Sequence, residues 1–145
     1  MSKGIRLTNE ELGYISLFEN LTGARVRDCI IDSRFDRIIF VIEEGEAGIA
    51  IGKRGKNIAL LEKLTGKKYE VVEFSDDPVQ LIKNALKPAT VKEVRITEKP
   101  DGSVIAVISV DNKDKGIAIG KNGRNAEKIR FLARRYFNIS NVLII

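Results

Sequence analysis

The sequence predicts an α+β fold built from two similar units, each a three-stranded sheet with its helices packed on one face. Three observations carry this. The stretch "GIAIGKRGKNIALL" from Gly48 and the stretch "GIAIGKNGRNAEKI" from Gly116 share eight of fourteen residues at a spacing of 68, so one design occurs twice. In both halves an amphipathic helical pattern is followed by two β-branched runs. Both halves then close on a further β-branched run, "YEVVEF" and "NVLII". The 145 residues therefore divide as 1–74 and 75–145, each half near the lower size limit for a self-sufficient core.

The elements follow in order. Thr8 and Glu11 match a capping box, Leu7 and Leu12 stand where a hydrophobic staple would put them, and Leu12, Ile15, Phe18 and Leu21 keep helical spacing. This first helix is expected to end near Gly23. "VRDCIID" and "RIIFVIE" read as an antiparallel hairpin turning through Ser33 to Asp36, and the second run, apolar on both faces, reads as the central strand. "EAGIAIGKRGKN" gives a short helical turn and a glycine loop, and a helix runs from about Lys56 to Thr65, where Gly66 stops it. "YEVVEF" completes the order α-β-β-α-α-β.

The second unit opens on "SDDPVQLIKNALK", with Asp77 as a cap, Pro78 at the first helical position, and Val79, Ile82 and Leu86 as its buried side. "VKEVRIT" and "SVIAVISV" are strands joined by the turn "EKPDG". After "DKGIAI" and the second loop, residues 124–137 form the longest helix, with Ala126, Ile129, Ala133 and Phe137 on one face. The connection between units, at most residues 75–77, is too short for a flexible tether and predicts a rigid pair with one composite surface. Independent tumbling of the halves in NMR relaxation would rule that out.

Composition narrows the chemistry. With 43% apolar and 31% charged residues the chain reads as a soluble folded protein, and it lacks both the apolar run of a membrane span and, at "MSKGIRLTNEE", that of a secretory signal, so a cytoplasmic location is expected. The one cysteine, Cys29, sits in an apolar stretch and reads as a small core residue. There is no histidine, which removes the usual general base and, with a single thiol, any ordinary zinc site; no metal or cofactor is expected. Residues 1–74 balance twelve cations against twelve acids, while 75–145 hold thirteen against eight. Between 113 and 135, eight Lys or Arg face only Asp114 and Glu127, a field that favours a polyanionic partner; a solvated ion-pair surface is the plainer alternative.

The loops say which polyanion. Gly52 and Gly55, and again Gly120 and Gly123, allow positive φ and close approach, the helix that follows offers unpaired N–H groups, and Lys53, Arg54, Lys56, Lys121 and Arg124 add positive charge. That suits a phosphate backbone. A Walker A loop needs four residues between its glycines and a Lys-Ser or Lys-Thr pair, whereas Gly48 to Gly52 encloses three and Arg54 stands where the hydroxyl would be. No G-x-G occurs, so the dinucleotide fingerprint is absent too.

What remains is I-G-x-x-G-x-x-I, complete at Ile51, Gly52, Gly55 and Ile58 and present as Ile119, Gly120, Gly123 and Ala126. This pattern, twice and in the same element order, resembles the KH domain in its prokaryotic type II form. Two such domains on so short a connection resemble the KH pair of the NusA family of transcription termination and elongation factors. Bacterial members carry an additional OB-type domain and a polymerase-binding segment, which this sequence lacks, so it resembles the minimal archaeal branch. The resemblance implies single-stranded RNA as partner, about four nucleotides per domain, with RNA polymerase or another transcription factor as a further partner and a monomeric protein. Carried onto this chain, the RNA-binding residues are Ile51, Gly52, Lys53, Arg54, Gly55 and Lys56 in the first domain, and Ile119, Gly120, Lys121, Asn122, Gly123, Arg124 and Lys128 in the second.

Other features read more plainly. Glu43, Glu44 and Glu46 lie where a helix begins, and acids there meet its dipole, which explains them better than a metal or a general acid. Asp32 and Asp36 belong to turn chemistry. Tyr69, Tyr136 and Phe137 are candidates for stacking on bases but read first as core. Arg124, Lys128 and Arg135, at offsets of four and seven, form a basic stripe expected to extend the nucleic-acid track. A ribosome-assembly or translation accessory factor is the alternative binding role, separated by the RNA that crosslinks. A nucleotide-dependent enzyme lacks a nucleophile, a histidine and the Walker pair; a turnover assay would expose it, and no enzymatic activity is expected.

Overall fold

The structure, a computed structural model, describes residues 5–145. Residues 1–4, on which the reading of the chain's opening partly rests, lie outside it. Two compact units meet between Ser75 and Asp76. The first runs α1 (Asn9–Thr22), β1 (Val26–Asp32), β2 (Arg37–Ile42), α2 (Ala47–Ile51), a 3₁₀ turn (Lys53–Gly55), α3 (Lys56–Thr65) and β3 (Tyr69–Glu73). The second runs α4 (Pro78–Leu86), β4 (Val91–Glu98), β5 (Val104–Val110), α5 (Asn112–Ile119), a 3₁₀ turn (Lys121–Gly123), α6 (Arg124–Phe137) and β6 (Asn141–Ile144).

Each sheet has the same mixed topology. β2 pairs antiparallel with β1 and parallel with β3, and β5 does the same with β4 and β6. A parallel neighbour demands a long crossover, and in each unit that crossover is the helix–loop–helix hairpin, so the glycine loop sits at the tip of the connection between the two parallel strands. Both antiparallel pairs carry a register shift near their start, at Val26/Asp28 and at Val91/Glu93.

Local signals account for the boundaries. The Thr8 hydroxyl accepts from the Glu11 N–H at 3.1 Å while the Glu11 carboxylate accepts from the Thr8 N–H at 2.8 Å, and Gly23 ends α1 in the left-handed region. Asp77 accepts from the Val79 N–H and starts α4, with Pro78 at the first helical position. The Asp32 carboxylate accepts from the N–H groups of Arg34 and Phe35, so it shapes the hairpin turn.

The first core lies between the sheet and its helices. Phe18 stacks on Phe40 with centroids 4.3 Å apart, and Phe40 stacks on Tyr69 at 5.7 Å. Tyr69 is therefore a core residue, its hydroxyl 2.8 Å from that of Thr65 and its pKa raised, chiefly by burial. Cys29 is fully buried, and β2 is buried along its whole length. Leu12 is exposed rather than part of the α1 stripe; the inward residues are Ile15 and Phe18, with Tyr14 and Leu21 against them. In α4 the buried side is Leu81, Ile82, Ala85 and Leu86, and Val79 is only half-buried. In α6, Ala126, Ile129 and Ala133 are buried with Leu132, while Phe137 and Tyr136 are half-buried.

Candidate nucleic-acid interface

The two loops have one backbone. Gly52 (φ 80°, ψ 169°) ends α2, Lys53 enters a tight turn, and Arg54 (φ 56°) and Gly55 (φ 74°) are both left-handed before the Lys56 N–H returns to the Lys53 carbonyl. Gly120 (φ 79°, ψ 164°), Asn122 (φ 58°) and Gly123 (φ 80°) repeat this, closed by the Arg124 N–H on the Lys121 carbonyl. Two left-handed residues in a row turn the chain back on itself in four residues. Asparagine tolerates that region; arginine does so at a conformational cost.

The side chains between the glycines point away from the core. Lys53, Arg54, Lys121 and Asn122 are all exposed, as is Lys56 on the first turn of α3. Arg124, its counterpart on α6, is half-buried. The helices leaving the loops begin differently from the helices that open each unit. α1 and α4 are capped by Thr8 and Asp77, whereas α3 and α6 start at glycines, Gly55 and Gly123, with no side-chain cap. No side chain covers the positive end of either dipole, which lies beside exposed cations, an arrangement suited to phosphate oxygens.

Apolar surface adjoins each cationic loop. Ile49 and Ile117 are 52% and 47% exposed; Ile51 is exposed and Ile119 half-buried. An aliphatic ledge beside a phosphate-binding turn can accept the faces of unpaired bases while the backbone is held at the turn.

Carboxylates fasten the helix entering each loop to the first strand of its unit. Glu46 accepts from the Arg25 N–H at 2.8 Å and Glu43 pairs with Arg27 at 3.1 Å. In the second unit Asp114 accepts from the Thr90 N–H at 3.3 Å and Asp111 pairs with Lys92 at 2.8 Å. Acids at the start of these helices thus serve as ties to the strand; Glu46, though it precedes α2, makes no side-chain cap.

The basic stripe on α6 changes in one member. Lys128 is 8% exposed, so Arg124, Lys128 and Arg135 do not form a continuous solvent-facing track. Lys128 adjoins Ile129 and lies one turn before Leu132, both buried, so it falls on the inner flank of the helix. The exposed aromatic residue of that helix is Phe131, 44% exposed with the Arg135 guanidinium 5.5 Å from its ring centre; nothing in its spacing sets it apart in the sequence.

Comparison with known proteins agrees with this fold. A KH domain model matches residues 13–83, and a model of the NusA-like second KH domain matches residues 78–142. The probable transcription termination protein NusA of Halococcus morrhuae is 38% identical over 138 residues, covering 95% of this chain and 96% of that one. The protein of the same name from Methanocaldococcus jannaschii is 31% identical over 141 residues, 97% of this chain and 75% of its own. A solved structure described as the crystal structure of APE1850 superposes with a TM-score of 0.83 at 40% identity, covering 96% of this chain and 100% of that one. Two KH domains, the second of NusA type, with this identity to archaeal relatives across nearly the whole chain mean that the chain belongs to the NusA family.

Proposed function

We propose that the protein binds single-stranded RNA through both glycine loops and acts in transcription termination or elongation. The observation that carries this is the duplicated site: two helices that each begin at a left-handed glycine with no side-chain cap, each opening from a turn with exposed polar or cationic side chains and bordered by exposed isoleucines. The turn, its cations and the positive helix end hold the sugar-phosphate chain, and the aliphatic ledge receives the bases, so binding is tolerant or modestly selective of sequence. Ile51, Gly52, Lys53, Arg54, Gly55 and Lys56 form one contact region, and Ile119, Gly120, Lys121, Asn122, Gly123 and Arg124 the other.

The names carried by the relatives support a place in transcription; in our reading RNA polymerase or its other factors are neighbours, and the protein is a monomer of the cytoplasm. No helix among the described residues is long and apolar enough to cross a membrane. The protein acts by binding, and we assign it no catalytic step.

Aspartate in place of Lys53 and Arg54, and of Lys121 and Asn122, tests the reading. Aspartate accepts left-handed backbone better than arginine does, and the replaced side chains are exposed, so the fold should survive. The expected result is loss of oligoribonucleotide binding with an unchanged circular dichroism spectrum. Binding at wild-type strength would contradict the proposal.

A further inference from the structure

The two glycines of each loop do different jobs. A Cβ on Gly55 or Gly123 would meet nothing within 4 Å, so these positions face open space. A Cβ on Gly52 would lie 2.8 Å from Cγ and 2.9 Å from Nδ2 of Asn57. On Gly120 it would lie 2.9 Å from the Arg124 Cγ and the Asn125 backbone nitrogen, and 3.1 Å from the Asn125 Cγ. The first glycine of each loop therefore has no room for a Cβ, because the first turn of the following helix, its asparagine included, is seated against it.

That asparagine makes the same bond in both units. Nδ2 of Asn57 donates to the Ile49 carbonyl at 2.9 Å, and Nδ2 of Asn125 donates to the Ile117 carbonyl at 2.7 Å. Both carbonyls belong to the last turn of the helix entering the loop, where the chain's departure at Gly52 or Gly120 leaves helical acceptors without their usual partners. The side chain thus caps one helix from the first turn of the next, eight residues on, and sets the angle between them. Asparagine is the same in both copies of the repeat, at positions 57 and 125, although the residues on either side of it differ.

We propose that Asn57 and Asn125 are positioning residues for RNA binding: each latches its helix–loop–helix hairpin in the shape that presents the turn, the positive helix end and the isoleucine ledge together. This rests on the loops being the binding sites. A latch of this kind raises affinity by increasing the fraction of molecules already in the binding shape, without itself touching phosphate.

The test titrates a single-stranded oligoribonucleotide into the full chain at several salt concentrations, comparing wild type, N57A/N125A and K53A/K121A. The latch predicts that N57A/N125A stays folded, binds about tenfold more weakly or worse, as for loss of one hydrogen bond, and keeps the wild-type salt slope. K53A/K121A should instead flatten the slope by roughly 0.7 per lost contact. Amide hydrogen exchange at Gly52, Gly55, Gly120 and Gly123 in the ligand-free protein should be faster in N57A/N125A. Unchanged affinity overturns the proposal, and so does a slope flattened like that of the lysine variant, which would make the asparagines direct contacts. If wild type binds no oligoribonucleotide, the RNA reading fails separately, and exchange alone decides the latch: faster supports it, unchanged overturns it. Should N57A/N125A fail to fold, N57L and N125L, which keep bulk against the glycine without a donor, replace it in the same measurements.

Discussion

Glu46 accepts a 2.8 Å hydrogen bond from the backbone N–H of Arg25, across 21 residues of chain. Its counterpart 68 positions on, Asp114, does the same for Thr90. The tie fixes where the helix entering each loop begins, and so where the loop lies relative to the sheet. The replacement Glu46→Ala should lower stability in urea by about 1 kcal/mol, the usual worth of such a bond at an exposed site. Glu46→Gln should lose less, because the amide oxygen still accepts. Equal losses in the two variants would show that charge, and not the hydrogen bond, matters there.

Arg54 holds a backbone conformation that arginine disfavours, at the position where the second loop places Asn122. Such a residue stores conformational strain. The change Arg54→Asn should therefore stabilise the protein by about 1 kcal/mol while weakening RNA binding and flattening its salt slope by roughly 0.7. Chemical denaturation and titration of the same preparation check the two signs. A variant that is both more stable and equally tight would mean that the guanidinium contributes nothing to the interface.

The unequal glycines predict unequal substitutions. Gly55→Ala places its Cβ in open space and should cost about 1 kcal/mol for the left-handed backbone alone. Gly52→Ala, at φ 80° and ψ 169° and with its Cβ against Asn57, should cost about 3 kcal/mol. Denaturant midpoints of the two variants give the comparison, and a Gly55→Ala loss as large as that of Gly52→Ala would contradict it.

Asp111 and Lys92 give the second unit a pH signature. The hydrogen bond from Lys92 holds the Asp111 carboxyl below its ordinary value, and the same bond raises Lys92 above its own. A carboxyl lowered in the folded state contributes stability above its unfolded value and loses it as pH falls through the lowered range. A lysine raised in the folded state contributes below its unfolded value and loses it as pH rises through the raised range. The pair therefore supports the fold around neutrality and fades at both extremes. Both groups are exposed, so the effect is small. In thermal melts from about pH 4 downward, Asp111→Asn should lose stability less steeply than wild type; an identical acid slope would remove Asp111 from the account.

Much of this was legible in the sequence because local chemistry set it. The Thr8–Glu11 box, the Asp77–Pro78 start, Gly66 as the stop of α3 and the apolar "RIIFVI" each declare an element without reference to distant residues. The loops were legible for the same reason, as two glycines at fixed spacing before a helix. What escaped depends on which flank of an element meets which neighbour. Lys128 looks like an outward charge by spacing alone, yet it lies beside Leu132 on the buried side of α6. Leu12 has the right period but the wrong flank. The ties from Glu46 and Asp114 join residues of different type in the two units, so identity could not reveal them. Asn57 and Asn125 were the exception: their identity in both copies was a usable signal, and only the bond each makes to a carbonyl eight residues back gave it meaning.

The most direct test of the central claim is an NMR titration of the wild-type chain with a short single-stranded oligoribonucleotide, following the backbone amides. The account predicts that the largest shifts cluster at residues 49–58 and 117–126, at both loops, and fade as salt is raised. Shifts confined to the outer faces of the sheets, or an unresponsive pair of loops at low salt, would contradict it.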